Sequence, residues 1–292
     1  MKQTFVAQLE PGEVVDDHFL VRSVVARPGR RGSYLVLTLA DRTGWIRAFA
    51  DPPDGALAPG DVVRVTGCVR AREGELELLT WSLAPDPTWP DPTDLIPSAP
   101  EAPSAYLARL ADLAAGIEVA AYRTLIRALL DDRAFLDAFC LAPGSLDRHH
   151  AHRGGLLQHT VEVMELAHRA AAAYPRLAAD LDLLLVAGFF HDVGKADTYT
   201  LTYPFELTAL GRTLGHEALG LRRLFRALDT VSSDPGGAVG RLVALLLAGA
   251  RGRAVHDLCV ADLAAVLSAL DRMSAASEPG RSPVLIHRGT AR

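Results

Sequence analysis

The stretch LLLVAGFFHDVGK, residues 183–195, decides how this chain is read. An apolar run, Leu183 to Phe190, leads straight into His191 and Asp192, and then come Val193, Gly194 and Lys195. Such a run is too short to span a bilayer and reads as a buried helix. Ending it on an imidazole and a carboxylate puts two ionisable groups at the edge of a core. That is costly unless they are paired or hold a cation. A second pair, His256 and Asp257, stands elsewhere in the chain, so the setting decides and the dipeptide alone does not.

Outward from this stretch the period is helical. Ser104 is the expected N-cap of a helix with Tyr106, Leu107, Leu110 and Leu113 on one stripe. Further helical patterns cover 118–131, 155–173, 177–191, 213–229, 238–249 and 260–275, with Pro175 ending the one before it. His159 shares its stripe with Leu156, Val163 and Leu166, so it points inward. His191 lies seven residues after Leu184, also on a buried face, with Asp192 at the helix end and Gly194 as its expected C-terminal cap. Asp271 follows Leu263, Val266, Leu267 and Leu270. Each alone has a plainer reading: a core histidine, a helix-end hydrogen-bonding group, a partner for Arg272. Together, His159, His191, Asp192 and Asp271 come from three helices and would share their burial cost through one divalent cation. A His/Asp mixture suits Mn, Fe, Zn, Ni or Mg and leaves positions for water.

Upstream the pattern changes. Residues 19–25, 33–39, 44–49, 61–66 and 75–79 alternate or are β-branched, and Pro28-Gly29, Asp41 to Gly44, Pro59-Gly60 and Glu73-Gly74 separate them. Five short strands within residues 1–83 suit a small closed barrel of the OB type. Seven of the 18 prolines fall between Pro85 and Pro103, so 84–103 reads as a stiff linker. The helical domain follows over 104–275 and a loose tail over 276–292. The expected architecture is multi-domain: an all-β OB-like barrel, then an all-α domain.

The 292 residues are 49% hydrophobic and 22% charged, the balance of a globular protein with real cores. The N-terminus lacks the apolar core of a signal peptide, so the expected compartment is the cytoplasm, with no membrane partner. Cys68, Cys140 and Cys259 are in no CxxC spacing and read as free buried thiols. A net charge of −5 argues against a broad polyanion binder. Only Lys2 and Lys195 are lysines among 30 basic residues, so a lysine directly after His-Asp-Val-Gly is not random surface filling. On the barrel, Trp45, Arg47 and Phe49 share one face by the two-residue period, and Tyr34 comes from a neighbouring strand. Aromatics beside basic groups are what OB surfaces use to stack single strands. The alternative is that these aromatics face the barrel core. Residues 1–83 hold ten Lys/Arg against eleven Asp/Glu, too near neutral for tight binding of RNA by charge alone.

Three phrases, HHAHRGGLLQHT (149–160), LLLVAGFFHDVGK (183–195) and GRTLGHEALG (211–220), resemble the HD superfamily of metal-dependent phosphohydrolases. The order barrel then HD domain resembles the bacterial OB-plus-HD 3′→5′ exoribonucleases of the YhaM family. LEPGEVVDDHFLV (9–21), GSYLVLTLADRTGWIRAFA (32–50) and PGDVVRVTG (59–67) match on the barrel side. The resemblance implies that His159, His191, Asp192 and Asp271 are metal ligands, with Asp192 also orienting water or accepting its proton. It puts Lys195 by the scissile phosphate, and His150 and His216 lining the pocket or helping to hold a second ion. Arg153 and Arg212 are candidate phosphate contacts. His149 and His152 are weaker candidates. Relatives show Ser-His-His-Gly where this chain has Leu247 to Gly252, so one ion per site is expected, with His256 the remaining substitute. The resemblance implies a 3′→5′ exonuclease on single-stranded RNA, or DNA, and allows a homo-oligomer. A phosphohydrolase on small nucleotides and an inactive nucleic-acid binder are the alternatives.

Overall fold

The structure, a computed structural model, describes residues 2–29, 32–89, 92–146, 148–231, 234, 237–249 and 258–277. It divides into two compact units, Met1–Pro100 with Thr202–Glu206, and Glu101–Leu201 with Leu207–Arg292.

The first unit is a closed barrel in the order β1-β2-β3-β5-β4, formed by β1 (Val14–Gly29), β2 (Gly32–Asp41), β3 (Gly44–Ala50), β4 (Val62–Arg72) and β5 (Glu75–Pro85). β1 serves both neighbours: Val14–Leu20 pairs with β4, and Leu20–Gly29 pairs with β2 across a register shift between Val21 and Ser23. That shift bends the strand and lets five strands close. All pairs are antiparallel except β3 with β5. This closure is the OB-fold topology expected from the strand pattern. Val15, Phe19, Leu37, Leu39, Val63 and Leu78 fill the interior. Along β3, Ile46, Ala48 and Ala50 are buried, while Trp45, Arg47 and Phe49 alternate with them on the half-buried outer face. The alternative of core-facing aromatics is excluded for these residues. Lys2 is buried at 4% exposure, with Nζ 3.6 Å from Asp41, 4.0 Å from Asp17 and 3.6 Å from the Phe19 ring centroid. The proline-rich stretch is not bare spacer: a 3-10 turn spans Pro92–Leu95, and Leu95 and Ile96 are buried with Leu20.

The second unit is helical, and its described helices are α1 (Pro103–Ala115), α2 (Ala120–Leu130), α3 (Arg133–Leu141), α4 (Gly155–Ala173), α5 (Pro175–Ala178), α6 (Leu181–Phe190), α7 (Lys195–Thr198), α8 (Ala209–Leu228), α9 (Ala238–Gly249) and α10 (Leu258–Ser277). Residues Leu183 to Phe190 are all buried, so α6 is hydrophobic all round and α4, α9 and α10 pack on it. α3 has no counterpart in the helical patterns; its capping residue Asp132 accepts from the N–H groups of Ala134 and Phe135. The pattern at 177–191 resolves into α5 and α6.

Some expectations are corrected. Ser104 is not the N-cap of α1; Ala102 holds that position and Pro103 opens the helix, its fixed φ suiting the first turn. Gly194 is not a left-handed cap (φ −65°). Its value is size, since a Cβ there would collide with the His216 carbonyl and the Gly220 N–H. Cys68 and Cys140 are free but only half-buried. His256, residues 250–252 and 278–292, and the side chain of Cys259 lie outside the described residues.

Candidate metal centre

Local backbone features deliver the side chains. Gly154 (φ 77°) turns the chain into α4, and Gly155 packs its bare Cα against the His150 carbonyl. His150 itself has φ 54°, a left-handed conformation rare for a non-glycine residue, and its carbonyl accepts from the Gly144 N–H at 2.8 Å. α4 then carries His159, fully buried, toward the end of α6. Gly215 (φ 74°, ψ 164°) breaks α8, so His216 begins a second helical run against Asp192.

The four expected ligands converge. His159 Nε2 lies 3.2 Å from His191 Nε2, 3.1 Å from Asp271 Oδ1 and 3.4 Å from Asp192 Oδ2, and His191 Nε2 is 3.5 Å from Asp192 Oδ2. With metal–ligand bonds of about 2.1 Å, donor separations of about 3.0–3.4 Å are the edges of octahedral and tetrahedral shells. The ring states also fit. His191 Nδ1–H donates to the Gly188 carbonyl at 2.8 Å and His159 Nδ1 faces Ser274 Oγ at 3.0 Å, so both rings turn Nε2 into the cluster. Three of the expected ligands, His159, His191 and Asp271, place donor atoms within 4.8 Å of one another, as do His149, His150 and His159. The residues present fit a divalent cation.

Electrostatics agree. Burial pushes His159 down, but hydrogen bonds to Asp192 and Asp271 prevail and raise it to about 9. Burial pushes Asp192 up, yet the Lys195 ammonium, at 2.6 Å, and the two histidines hold its carboxyl well below the usual carboxylate range. Asp271 is likewise lowered, burial being outweighed by His159 and His191. Burial lowers His191. Lys195 is raised, Asp192 overcoming its burial, so it stays an ammonium. In the absence of an ion the two carboxylates are balanced by the proton on His159 and the Lys195 ammonium.

Of the other expected residues, His216 Nε2 lies 3.5 Å from Asp192 Oδ1, and His150 is fully buried with Nε2 3.0 Å from Glu162. His152 is buried on Gln158 at 2.9 Å, and His149 is half-buried with its ring centroid 5.6 Å from that of His159. Among the described residues no hydrogen bond or ion pair joins Arg153 or Arg212 to the cluster. Sequence reasoning missed Glu162 and Ser274. Each stands three residues after an expected ligand on the same helix, which was the available signal. Burial raises the Glu162 carboxyl, but hydrogen bonds from His150 and Ser274 prevail and hold it at about 2. Beside the ligands, a cavity of ≈ 230 Å³ is lined by His191, Asp192, His216 and Asp271 and by an apolar wall of Leu221, Leu246 and Leu267.

On the barrel, Tyr34 and Phe49 form a ring pair at 6.4 Å, with the Arg70 guanidinium 5.7 Å from the Phe49 centroid. Arg47 and Arg70 both face Glu77, at 3.9 and 2.7 Å, which offsets part of their charge. Trp45 shares the outer face of β3, four residues from Phe49 along the strand.

The HD-domain family model matches residues 156–276. The 3′-5′ exoribonuclease YhaM of Halalkalibacterium halodurans is 29% identical over 212 residues, covering 70% of this chain and 65% of the relative. The YhaM of a Geobacillus species is 26% identical over 231 residues, covering 77% and 70%. The chain thus spans about two thirds of the length of the curated relatives it matches. The second OB-fold domain of replication protein A from Methanococcus maripaludis is 20% identical, with a TM-score of 0.26, covering 30% of this chain and 98% of that domain. No described helix is long and apolar enough to cross a membrane. With a closed five-stranded barrel ahead of an HD domain and the expected ligands converging in space, the chain is similar to the YhaM exoribonucleases.

Proposed function

We propose that the chain is a divalent-metal-dependent hydrolase that removes nucleotides from the 3′ end of single-stranded RNA. The observation that carries this reading is the convergence of His159, His191, Asp192 and Asp271, with Lys195 as a buried ammonium beside them. The names of the relatives support the direction and the substrate class. His159, His191, Asp192 and Asp271 would hold one ion, which when bound supplies Lewis acidity to water and to a phosphoryl oxygen.

The chain's own groups divide the remaining work. Asp192 has a depressed carboxyl tied to Lys195, which suits a ligand and orienting group better than a proton acceptor. His216, at the cavity wall, 37% exposed and 3.5 Å from Asp192, is placed to carry a proton between the cavity and solvent. Lys195 offsets charge growing on the equatorial phosphate oxygens. Tyr34, Phe49, Arg47 and Trp45 on the outer barrel face would hold the strand by stacking, with little help from net charge.

The test is digestion of 5′-labelled RNA with Mn²⁺. A ladder shortening one nucleotide at a time, abolished by Asp192→Ala, supports the proposal. Phosphate release from mononucleotides with oligomers untouched would move the assignment to small nucleotides. Gel retardation without cleavage, and no bound metal, would leave only a binder.

A further inference from the structure

We propose that Glu162 is a positioning residue of the metal centre, acting on His159 through Ser274 and on His150 directly. The inference rests on the reading that the cluster holds a cation. Glu162 Oε2 accepts from Ser274 Oγ–H at 2.6 Å and from His150 Nε2–H at 3.0 Å, and Oε1 accepts from the Gln158 amide at 2.8 Å. A carboxylate can only accept, so its three partners must donate. Ser274 gives its one proton to Glu162, and its oxygen is then left to accept Nδ1–H from His159 at 3.0 Å. That fixes the neutral ring of His159 with its proton on Nδ1, so that Nε2, the atom that faces His191, Asp192 and Asp271, is the nitrogen that yields its proton to a cation.

The same carboxylate takes Nε2–H of His150. Nδ1 of that ring is buried with no protein partner among the described residues, so it too is left as a bare acceptor. One anion on α4 thereby sets the ring state of two histidines from different segments, and Ser274 ties α10 to α4 at the level of the ligands. Partners of this kind raise the basicity of a ligating imidazole and hold its plane.

Replacing Glu162 by glutamine keeps the volume but turns an N–H₂ toward groups that already donate. With the N–H₂ toward Ser274, that hydroxyl accepts from the amide and gives its proton to His159 Nδ1, which leaves the ring proton on Nε2 and closes the coordinating lone pair. The experiment is Mn²⁺ affinity by electron paramagnetic resonance of the intact chain. Glu162→Gln and Ser274→Ala should each weaken binding about 10- to 100-fold. The double variant should be no weaker than the worse single one, because both cut one relay. Ser274→Thr keeps the hydroxyl and should bind within about threefold of the parent, which a packing role for Ser274 does not explain. In metal-free, ¹⁵N-histidine-labelled protein above pH 9, His159 should carry its proton on Nδ1 in the parent and shift toward Nε2 in Glu162→Gln. Mn²⁺ affinity of Glu162→Gln within twofold of the parent, with unchanged ring shifts, overturns the inference. A parent protein that takes up no Mn²⁺ overturns the reading of the centre instead, and the ring shifts still decide the role of Glu162.

Discussion

Cation binding at this centre should be coupled to the release of one proton. Without an ion His159 titrates at about 9, so at pH 7 its Nε2 carries a proton that a cation must displace. The other ligands have nothing to give up: His191 is lowered and neutral, and Asp192 and Asp271 are ionised. Two pH units between 7 and 9 make the apparent affinity at neutrality about 100-fold weaker than the plateau above pH 9. Between pH 7 and 8.5 the logarithm of the affinity should rise with slope close to one. Calorimetric titration of Mn²⁺ at pH 7, in two buffers of different ionisation enthalpy, should count about one proton per ion. The metal-free fold follows the opposite trend. The folded pKa of His159 lies above its unfolded value of 6.5, so its contribution is fully present below pH 6.5 and is lost as pH rises through about 9. The melting temperature of the metal-free protein should therefore fall across that window, and Mn²⁺ should restore it. No released proton and a flat affinity between pH 7 and 8.5 would refute the placement of His159 between the two carboxylates.

Three further outcomes follow from the geometry. Asp271→Asn removes one anionic donor, so bound Mn²⁺ per chain, measured by elemental analysis after gel filtration, should drop well below that of the parent. Phe49→Ala should weaken single-stranded RNA binding by about 1–3 kcal/mol, read by fluorescence anisotropy, while hydrolysis of a phosphodiester without bases is unchanged. Phe139→Ala empties a fully buried site between Phe135 and Phe189 and should cost about 3–5 kcal/mol by denaturant titration; a loss below about 1 kcal/mol would mean that Phe139 does not pack between those two rings.

Much of this protein was legible along the chain. The alternation at Trp45, Arg47 and Phe49 determined which side chains leave the barrel, because successive strand residues point to opposite faces. The stripe of Leu156, His159 and Val163 determined that an imidazole enters the helical core. The apolar run into His191 and Asp192 determined a central helix with ionisable groups at its end. Periodicity speaks of one element at a time. It cannot say that Asp271, 112 positions beyond His159, brings Oδ1 to 3.1 Å of that ring, since the packing of α10 on α4 sets this distance. Nor could it show that Gly194 makes room for the His216 backbone, or that Gly215 interrupts α8 there. Glu162 was hidden for the same reason: on α4 alone it is one more acid, and its meaning comes from a serine on another helix and a histidine in the preceding loop. Local sequence decides which face a side chain takes. Which groups meet across elements, and so which protons and charges they hold, is a property of the packed chain, because Coulomb and hydrogen-bond energies depend on distances that only packing establishes.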